Sequence, residues 1–396
     1  MTSSAVRTTR PRVYLDHAAT TPMLPEAVAA MTRELTRVGN PSALHGSGRD
    51  VRRVLEECRE LVAARVGARP VEVVFTSGGT ESDNLAVKGA YWSRRDPDRR
   101  RVVVSVLEHH AVLDSAAWLA AAEGAELDLV PVDATGRLDL AAAEQLVDER
   151  TAVVSVMAAN NEVGTRQPVA EVATLAARVG AVSHSDAVQA VGHVPVDFAA
   201  SGLDLMTFTG HKLGGPVGVG ALLARRETAL TSVQHGGGQE RDLRSGTLDV
   251  AGVAGFAAAV EVAVAGLAAE EARVRALRAE LLAAVTAAVP GTTLHGSTEP
   301  EHCLPGVTNL GFAGCSADAV LMLLDAAGID CSAGSACSAG VAQPSHVLSA
   351  MGLGEADARS SLRFSLGHTS TRADVAALVA ALPEAVSRAR AAAAFV

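Results

Sequence analysis

The chain alternates between short runs of β-branched residues and longer, alanine-rich segments. Each short run has the length of a strand, and each longer segment has room for a helix of about ten or more residues. Strands that alternate with helices form βαβ units, in which the strands lie side by side in a mostly parallel sheet. The pattern therefore predicts an α/β fold with a seven-stranded, mostly parallel sheet flanked by helices, its strands at residues 71–75, 101–106, 127–130, 152–157, 181–184, 205–208 and 217–223.

A different pattern begins near residue 251. From there to residue 289 the sequence is rich in Ala, Glu, Arg and Leu and has no proline before Pro290, which predicts one long helix that leaves the large domain. The remainder predicts a smaller α+β domain, and a chain of 396 residues has room for both. We expect a large domain over residues 14–260 and a small C-terminal domain over residues 261–396 that also includes residues 1–13.

Charge and composition narrow the class of protein. Lys and Arg number 34 and Asp and Glu number 44, a formal net charge of −10, which argues against direct binding of nucleic acid or of an anionic membrane surface. No uninterrupted apolar run reaches about 18 residues, and none follows the arginines near the N-terminus. We therefore predict no transmembrane helix, no signal peptide and a cytoplasmic protein.

The five cysteines are Cys58, Cys303, Cys315, Cys331 and Cys337. Their odd number and scattered positions argue against a disulfide framework, and no pair has the spacing and histidine partners of a zinc site. We expect reduced thiols and no bound metal.

Polar residues with useful chemistry follow several of the predicted strands. The carboxyl ends of parallel strands meet at one edge of a sheet, which is where open α/β sheets bind ligands. We therefore expect a site at this edge, formed by the residues that follow the first, second, fourth, fifth and sixth strands, namely Thr80, His109, Asn161, Asp186 and Lys212.

Lys212 and Asp186 indicate the kind of site. Pyridoxal phosphate needs an amine to hold its aldehyde, a carboxylate to keep its ring nitrogen protonated, and donors for its phosphate. Taken singly, Lys212 suits a surface lysine and Asp186 a loop cap. Together, each at the end of a predicted strand, they favour a pyridoxal phosphate site.

The run from Ser77 to Glu81 can supply the phosphate donors. It lies between a predicted strand and a predicted helix, so the free amides of the helix N-terminus and the Thr80 hydroxyl can bind an anion. The same run also suits an ordinary helix cap. Thr209 and His211, just before Lys212, can add further phosphate contacts.

His109 has a planar ring that can stack on the cofactor and move protons near neutral pH. A zinc pair with His110 is the alternative, which we disfavour because adjacent side chains on a helix point apart. Asn161 and Gln189 are neutral amides that can hydrogen-bond the phenolic oxygen of the cofactor. The alternative is that they are polar residues at strand ends with no functional role, which the sequence does not distinguish.

Arg363 interrupts an otherwise apolar predicted strand, at residues 361–366. Its forked guanidinium suits the carboxylate of an amino-acid substrate, and an ordinary ion pair is the alternative.

Cys337 lies in a run of Gly, Ala and Ser from residue 332 to residue 340. A free cysteine is often a small buried hydrophobic residue, but a run of this composition predicts an exposed loop. As a nucleophile the thiol has to ionise, so we expect a neighbouring cation, helix amide or the cofactor complex to lower its pKa. We expect Cys331 to be a small residue at a strand end, with a resolving thiol as the other possibility.

These residues stand within a longer set of motifs that resembles the cysteine desulfurases of the NifS/IscS type, a family of class V aminotransferase-like, fold-type I pyridoxal phosphate enzymes. The likeness covers nearly the whole chain. It rests on the segments at residues 14–22, 39–42, 80–84, 160–164, 210–212, 235–238, 244–247, 334–337 and 363–367.

The resemblance implies a role for each candidate. Lys212 carries the cofactor, Asp186 holds its pyridine nitrogen and His109 stacks on its ring. Phosphate contacts come from Gly79, Thr80, Thr209 and His211, and Asn161 and Gln189 lie near the phenolic oxygen. Thr247 reaches the phosphate in the partner subunit, so a homodimer with two shared sites is implied.

The resemblance also implies an activity. L-cysteine is converted to L-alanine, and its sulfur passes as a persulfide to Cys337 and then to a protein acceptor, for iron–sulfur cluster assembly or tRNA thiolation. The loop around Cys337 resembles the group I subclass. Departures are small: Thr209 stands where serine is usual, Ser338 where threonine is usual and Gly79 where alanine is frequent.

Other functions stay open at this point. A selenocysteine lyase, a cysteine sulfinate desulfinase or an aminotransferase on the same fold would not need the thiol of Cys337. A non-catalytic scaffold that binds an iron–sulfur cluster is disfavoured by the cysteine spacing.

Overall fold

The computed structural model describes residues 12–333 and 344–393. The described strands, in chain order, are β1 (Val13–Tyr14), β2 (Val73–Thr76), β3 (Arg101–Ser105), β4 (Glu126–Val130), β5 (Thr151–Ser155), β6 (Val182–Asp186), β7 (Leu205–Thr209), β8 (Gly220–Ala224), β9 (Thr292–His295), β10 (Val307–Phe312), β11 (Ile329–Asp330) and β12 (Ser361–Ser365).

Helices cover both faces of the large sheet and one side of the small one. In the described ranges they are α1 (Pro25–Leu35), α2 (Gly46–Arg65), α3 (Gly79–Arg94), α4 (His110–Glu123), α5 (Leu140–Leu146), α6 (Val169–Val179), α7 (Phe198–Ser201), α8 (Val250–Ala265), α9 (Leu267–Ala288), α10 (Ala317–Ala326), α11 (His346–Ala350), α12 (Glu355–Ala358) and α13 (Arg372–Ala393).

The large sheet has the strand order β2-β8-β7-β6-β5-β3-β4. The pairings from β7 through β6, β5 and β3 to β4 are parallel, whereas β8 runs antiparallel to both β2 and β7. β8 reverses because the glycine-rich turn after β7 is too short for the helical crossover that a parallel neighbour requires. The prediction of a mostly parallel sheet of seven strands is confirmed, and each observed strand overlaps its predicted run.

A smaller antiparallel sheet, β12-β10-β9, lies in the C-terminal part, and β1 pairs with β11 in parallel. The apolar face of the sheet β12-β10-β9 packs against α9, α10 and α13. The shared core includes Leu310, Phe312, Leu362 and Phe364, and Leu15 from the N-terminal segment is buried there as well. The predicted division of the chain at residue 260 stays a prediction.

The expectation of one helix from residue 251 to residue 289 is wrong. The segment forms two helices, α8 and α9, which meet at Gly266 and are bent by 73°. The bend follows from their different surroundings, since α8 is buried around most of its circumference against α1 and α2, whereas α9 packs with α13 beside the small sheet. A straight helix cannot fill both places.

In the described ranges no single helix is long and apolar enough to cross a membrane. α8 and α9 meet the length and composition criteria only when taken together, across their bend. Those ranges also hold no cluster of three or more His, Cys, Asp or Glu side chains suited to a metal ion.

Phe256 anchors α8 beneath the large sheet. It is fully buried, and its ring centroid lies 6.4 Å from that of Phe75 on β2 and 5.3 Å from that of Phe208 on β7. Aromatic rings at these separations add to the free energy of simple burial.

We expect Phe256→Ala to lower the free energy of unfolding by about 3–5 kcal/mol, because it removes buried apolar surface and leaves a cavity under the sheet. Chemical denaturation followed by circular dichroism measures the loss. Met322→Ala, at a helix position that is 72% exposed, is the control and should change stability by no more than about 0.5 kcal/mol. Equal losses for the two variants would contradict this description of the core.

Candidate active site

A cavity of about 390 Å³ opens at the carboxyl ends of the parallel strands. Ten of the residues selected from the sequence line it. Nine of them lie at or just after the ends of large-sheet strands that meet at the same edge, and the tenth, Arg363, comes from the small sheet. The ten are Gly79, Thr80, His109, Asn161, Asp186, Gln189, Thr209, His211, Lys212 and Arg363.

Lys212 ends a short 3₁₀ turn, Gly210–Lys212, directly after β7. Its Nζ donates hydrogen bonds to the carbonyl oxygens of Ala18 at 2.6 Å and Ala19 at 2.7 Å, and His193 Nε2 donates to the Lys212 carbonyl oxygen at 3.0 Å. Burial, with a smaller contribution from the charge of Arg363, lowers the pKa of Lys212 to about 8. A substantial fraction of this amine is therefore neutral and nucleophilic near physiological pH.

Asp186 is the last residue of β6 and is buried. Its Oδ1 accepts a hydrogen bond from the backbone N–H of Val188 at 2.8 Å. Burial raises the pKa of Asp186, and the charges of His109 and Lys212 only partly oppose this effect. A cationic N–H placed beside it would stabilise the carboxylate, which is what a pyridinium nitrogen offers.

His109 caps the N-terminus of α4, where its Nδ1 accepts a hydrogen bond from the backbone N–H of Ala111 at 3.1 Å. This contact leaves the proton of the neutral ring on Nε2. Desolvation by the surrounding protein lowers the pKa of His109, although Asp186 opposes the shift. The ring is therefore neutral at physiological pH and open to the cavity.

The turn before α3 has the form of an anion cradle. Gly78 has a φ of +145°, which a residue with a side chain rarely adopts, and Gly79 begins the helix. A Cβ on Gly79 would lie 3.0 Å from Val188 Cγ2, so the glycine allows a close approach between this turn and the end of β6. The N-terminal amides of α3 face the cavity with the positive end of the helix dipole.

Thr209 and His211 complete this end of the cavity. The Thr209 hydroxyl donates to the Val219 carbonyl oxygen at 3.1 Å, and His211 Nδ1 lies 3.3 Å from Thr20 Oγ1. Burial lowers the pKa of His211 to about 4, so its ring contributes no positive charge at neutral pH in this structure.

Arg363 reaches the cavity from β12 of the small sheet. It is buried, and its two terminal nitrogens donate to the Asn161 carbonyl oxygen at 2.9 Å and to Asp16 Oδ1 at 2.7 Å. Its Nε has no hydrogen-bond partner among the described residues. Part of the guanidinium is thus committed to the protein and part is still able to donate.

Gln189 donates from Nε2 to the Ala18 carbonyl oxygen at 2.8 Å, the same oxygen that accepts from Lys212. Thr247 is exposed and lies outside this cavity. Cys337 lies outside the described residues. Cys331 follows β11 and is partly buried, and burial raises the pKa of its thiol to about 12, which is typical of an unreactive cysteine.

Sequence reasoning missed several residues of the site. The carbonyl oxygens of Ala18 and Ala19 hold the lysine amine, and Asp16 binds Arg363. Asp83, fully buried on α3, also lines the cavity, and its Oδ1 lies 3.6 Å from His184 Nε2. Asp16, Ala18, Ala19 and Asp83 lie in the segments 14–22 and 80–84, which belong to the motifs that carry the family resemblance. Membership of these motifs is the signal by which they could have been found.

The cavity fits pyridoxal phosphate. It combines an amine of lowered pKa, a buried carboxylate that accepts a backbone hydrogen bond at Oδ1, a planar ring and a helix N-terminus that a glycine keeps open. Lys212, Asp186, His109 and the Gly79–Thr80 turn are the residues that would hold the cofactor.

Comparison with known proteins agrees with a pyridoxal phosphate site. The family model described as aminotransferase class-V matches residues 13–378. An IscS-like cysteine desulfurase of Mycobacterium tuberculosis is 56% identical over 96% of this chain and 98% of its own length, and a cysteine desulfurase of Cereibacter sphaeroides is 42% identical over 96% and 97%. A solved NifS-like protein superposes with a TM-score of 0.88 at 34% identity, covering 95% of this chain and all of its own, which confirms the predicted fold class.

The likeness extends over nearly the full length of both chains and coincides with a cavity that suits the cofactor. The chain therefore belongs to the aminotransferase class-V family and, within it, to the pyridoxal phosphate-dependent cysteine desulfurases of the NifS/IscS type.

Proposed function

We propose that Lys212 holds pyridoxal phosphate, that Asp186 and His109 contact its ring, and that Cys337 takes the sulfur of L-cysteine. The observation that supports this proposal best is the meeting of an amine, a buried carboxylate, a neutral imidazole and a helix N-terminus in one cavity. The activity of the similar proteins agrees with it.

The residues of the cavity divide the work. Bound pyridoxal phosphate supplies the electron sink. Asp186 holds a proton on the ring nitrogen, and Gly79, Thr80, Thr209 and His211 bind the phosphate group. Asn161 and Gln189 donate to the phenolic oxygen, and Arg363 binds the substrate carboxylate through the donor capacity that its contacts to Asp16 and Asn161 leave free.

Proton transfer falls to Lys212 and His109. The Lys212 amine has a pKa of about 8 in the protein, close to the working pH, so when it is not holding the cofactor it would accept and return protons at little cost. His109 is neutral with its proton on Nε2, so it can donate that proton to a developing negative charge.

Sulfur transfer requires a thiolate. Cys337 Sγ attacks the sulfur of the bound L-cysteine, an S–S bond forms, and the C–S bond breaks with its electron pair left on carbon. A proton then completes L-alanine, and the enzyme keeps the sulfur as a Cys337 persulfide. No outside oxidant or reductant is needed, because the transferred sulfur leaves as a formally neutral atom.

We further propose that the persulfide passes to a protein acceptor, either a scaffold for iron–sulfur clusters or a tRNA thiolation protein. A cytoplasmic location belongs to the same proposal, because the cysteines within the described ranges are free thiols that suit a reducing compartment.

The lysine assignment has a simple test, because the chain contains two lysines, Lys88 and Lys212. Lys88 is on α3, with its Nζ 4.7 Å from the ring centroid of Trp118. In Lys88→Arg, we expect borohydride reduction of the cofactor-loaded protein to fix one cofactor per chain, mapped by mass spectrometry to Lys212. Lys88→Arg with Lys212→Ala should fix none, and retention of the adduct in that double variant would refute the assignment.

The same single-lysine protein tests the lowered pKa. Without cofactor, acylation of Lys212 in Lys88→Arg should accelerate through a midpoint at a pH of about 8, because burial disfavours the charged amine and only the neutral form reacts. Peptide mapping separates Lys212 from the N-terminal amine. A midpoint near the ordinary lysine value of about 10.4 would contradict the electrostatics of the site.

The nucleophile assignment is tested by intact mass. Brief exposure to L-cysteine should add about 32 Da, one sulfur atom, in a form that a reductant removes. Cys337→Ala should bind cofactor and gain nothing, whereas the matched control Cys331→Ala should gain sulfur like the wild type. An equal gain in Cys337→Ala would move the proposal to a reaction that works without this thiol.

The final part of the proposal is a homodimer in which Thr247 serves the phosphate of the partner subunit. The segment that carries Thr247 is held firmly. Arg244 Nε donates to Glu81 Oε1 at 2.7 Å, and the buried Glu240 carboxylate accepts from both terminal nitrogens of Arg59, at 2.6 and 2.8 Å. These contacts fix the neighbours of Thr247 while its own side chain stays exposed.

A hybrid dimer distinguishes the two placements of Thr247. A dimer of one Lys212→Ala chain and one Thr247→Ala chain has one fully intact site only if Thr247 acts in the partner subunit. We expect such hybrids to regain one tight cofactor site per dimer, whereas Thr247→Ala homodimers should bind cofactor about 10- to 100-fold more weakly, since a charge-assisted hydrogen bond is lost. Hybrids with no tight site would show that Thr247 acts within its own chain.

A further inference from the structure

Glu162 has no role in the proposed function, although its neighbour Asn161 in the same motif does. It lies in the loop of residues 160–164 that follows β5, next to Asn161. Asn160 is fully buried, and its Oδ1 accepts from the backbone N–H groups of Glu162 at 2.8 Å and Val163 at 3.0 Å. The backbone of Glu162 is therefore held in one orientation.

The carboxylate of Glu162 makes a buried contact with the C-terminal part of the chain. Ser345 Oγ donates to Glu162 Oε2 at 2.6 Å, and the two residues are 3% and 5% exposed. Ser345 is also the N-cap of α11, since its Oγ accepts from the backbone N–H of Leu348 at 3.2 Å. One hydroxyl thus links Glu162 to the first turn of that helix.

α11 itself is docked on the edge of the large sheet. Val347, Leu348 and Met351 share an apolar cluster with Leu107 and Met157, which follow β3 and β5. His346 Nε2 adds a hydrogen bond to the Glu108 carbonyl oxygen at 3.1 Å. Removal of the Glu162 contact therefore leaves the helix packed but releases the side chain of its N-cap residue, Ser345, from the large domain.

The opposite flank of the Cys337 segment is also attached to the site. Ser332 pairs with Arg363 on β12 through two backbone hydrogen bonds of 2.7 and 3.1 Å, and Arg363 donates to the Asn161 carbonyl oxygen. Residues 332 and 345 are consequently held by neighbouring groups of the same site. Cys337 lies in the chain between these two attachments.

We propose that Glu162 is a positioning residue for sulfur transfer, which holds Ser345 and thereby fixes the C-terminal flank of the chain that carries Cys337. This inference rests on the proposed role of Cys337. Because the bond brings the point of attachment forward from α11 to Ser345, it shortens the chain between the two attachments and fixes the direction in which that chain leaves the helix. A shorter, oriented connection holds the thiol near the substrate at a higher effective concentration.

The hydrogen bond, rather than a full negative charge, carries this role. Burial raises the pKa of Glu162 to about 7, although the bond from Ser345 and the charge of Arg363 oppose the shift. At neutral pH the group is therefore present both as acid and as carboxylate. A glutamine keeps the shape and an acceptor oxygen for the Ser345 hydroxyl.

The test uses Glu162→Ala, Glu162→Gln, Ser345→Ala and the double alanine variant in the full chain, in the background of wild-type Cys337. The first readout is hydrogen–deuterium exchange of residues 344–351 in cofactor-free protein, which needs no activity. The second is the rate of persulfide formation by quenched-flow mass measurement, set against the spectral change that follows cysteine binding in the loaded enzyme.

We expect Glu162→Ala and Ser345→Ala to raise exchange at residues 344–351 and to slow persulfide formation by at least about tenfold, since small misplacements of a reacting group are costly. The spectral change should stay within about twofold of wild type, because the cofactor residues are untouched. Glu162→Gln should restore both readouts, and the double variant should be no slower than either single one, as expected of two groups that act through one contact.

Asp139→Ala is the matched control, because Asp139 caps α5 through the backbone N–H groups of Ala141 and Ala142 and does not line the cavity. It should leave exchange at residues 344–351 and persulfide formation unchanged. A loss of the persulfide rate in this variant equal to that in Ser345→Ala would show that loss of any helix cap is enough, and would overturn the inference.

Two further results would also overturn it. Unchanged exchange in Glu162→Ala would mean that the contact does not hold Ser345, and raised exchange with a wild-type rate of persulfide formation would mean that the attachment does not position Cys337. Failure of the proposed function has a different signature, namely a persulfide that still forms in Cys337→Ala, whatever the exchange data show.

Discussion

The site depends on the attachment of the N-terminal segment to both sheets. Leu15 donates its N–H to the Asp330 carbonyl oxygen and accepts from the N–H of Ser365, so the segment runs between β11 and β12, the edge strand of the small sheet. A few residues later the Ala18 and Ala19 carbonyl oxygens bind the Lys212 amine of the large sheet. Because one short segment, a strand followed by a turn, makes both sets of contacts, the positions of Lys212 and Arg363 are fixed relative to each other.

Electrostatics of the cavity follow from its depth. Asp83, Glu108 and Asp186 are buried carboxyl groups, and in each of them burial raises the pKa. His184, beneath them, is kept neutral by the same effect, with a pKa lowered to about 3. A cofactor that brings a protonated ring nitrogen to such an environment offsets the cost of an ionised Asp186. Asp83, whose pKa is raised by burial and by the charge of Asp186, favours its neutral form and adds little competing charge.

Much of this could be predicted from the sequence, for a physical reason. Six of the seven strands are buried on both faces, which made most of them visible as apolar runs, whereas the edge strand β4 is partly exposed and was visible from its alternating pattern. Thr80, His109, Asn161, Asp186 and Lys212 converge because parallel strands end at a common edge. The bend at Gly266 was not visible, since a glycine inside a helical pattern signals a break only when the two halves pack against different partners.

Contacts made by backbone groups, and pairs of residues distant in sequence, could not be predicted from the sequence either. The carbonyl oxygens of Ala18 and Ala19 leave no side-chain signal, and the pairing of Asp16 with Arg363 joins positions more than three hundred residues apart. Asp83 looks like an ordinary polar helix position until the fold turns it toward Asp186. Residues that act through their side chains at strand ends were therefore found, and those that act through the backbone or through long-range pairing were not.

The division of groups between the two sheets has a chemical consequence. Lys212, Asp186 and His109 come from the large sheet, whereas Arg363 comes from the small one and Cys337 from the chain between two attachments to this junction. In the proposed mechanism, proton transfer relies on Lys212 and His109, which follow strands of one sheet and are therefore held by its hydrogen bonds. In the same proposal, sulfur transfer depends on the contacts that join the two sheets and the flanks of Cys337, namely those of the N-terminal segment, of Arg363 and of Glu162 with Ser345.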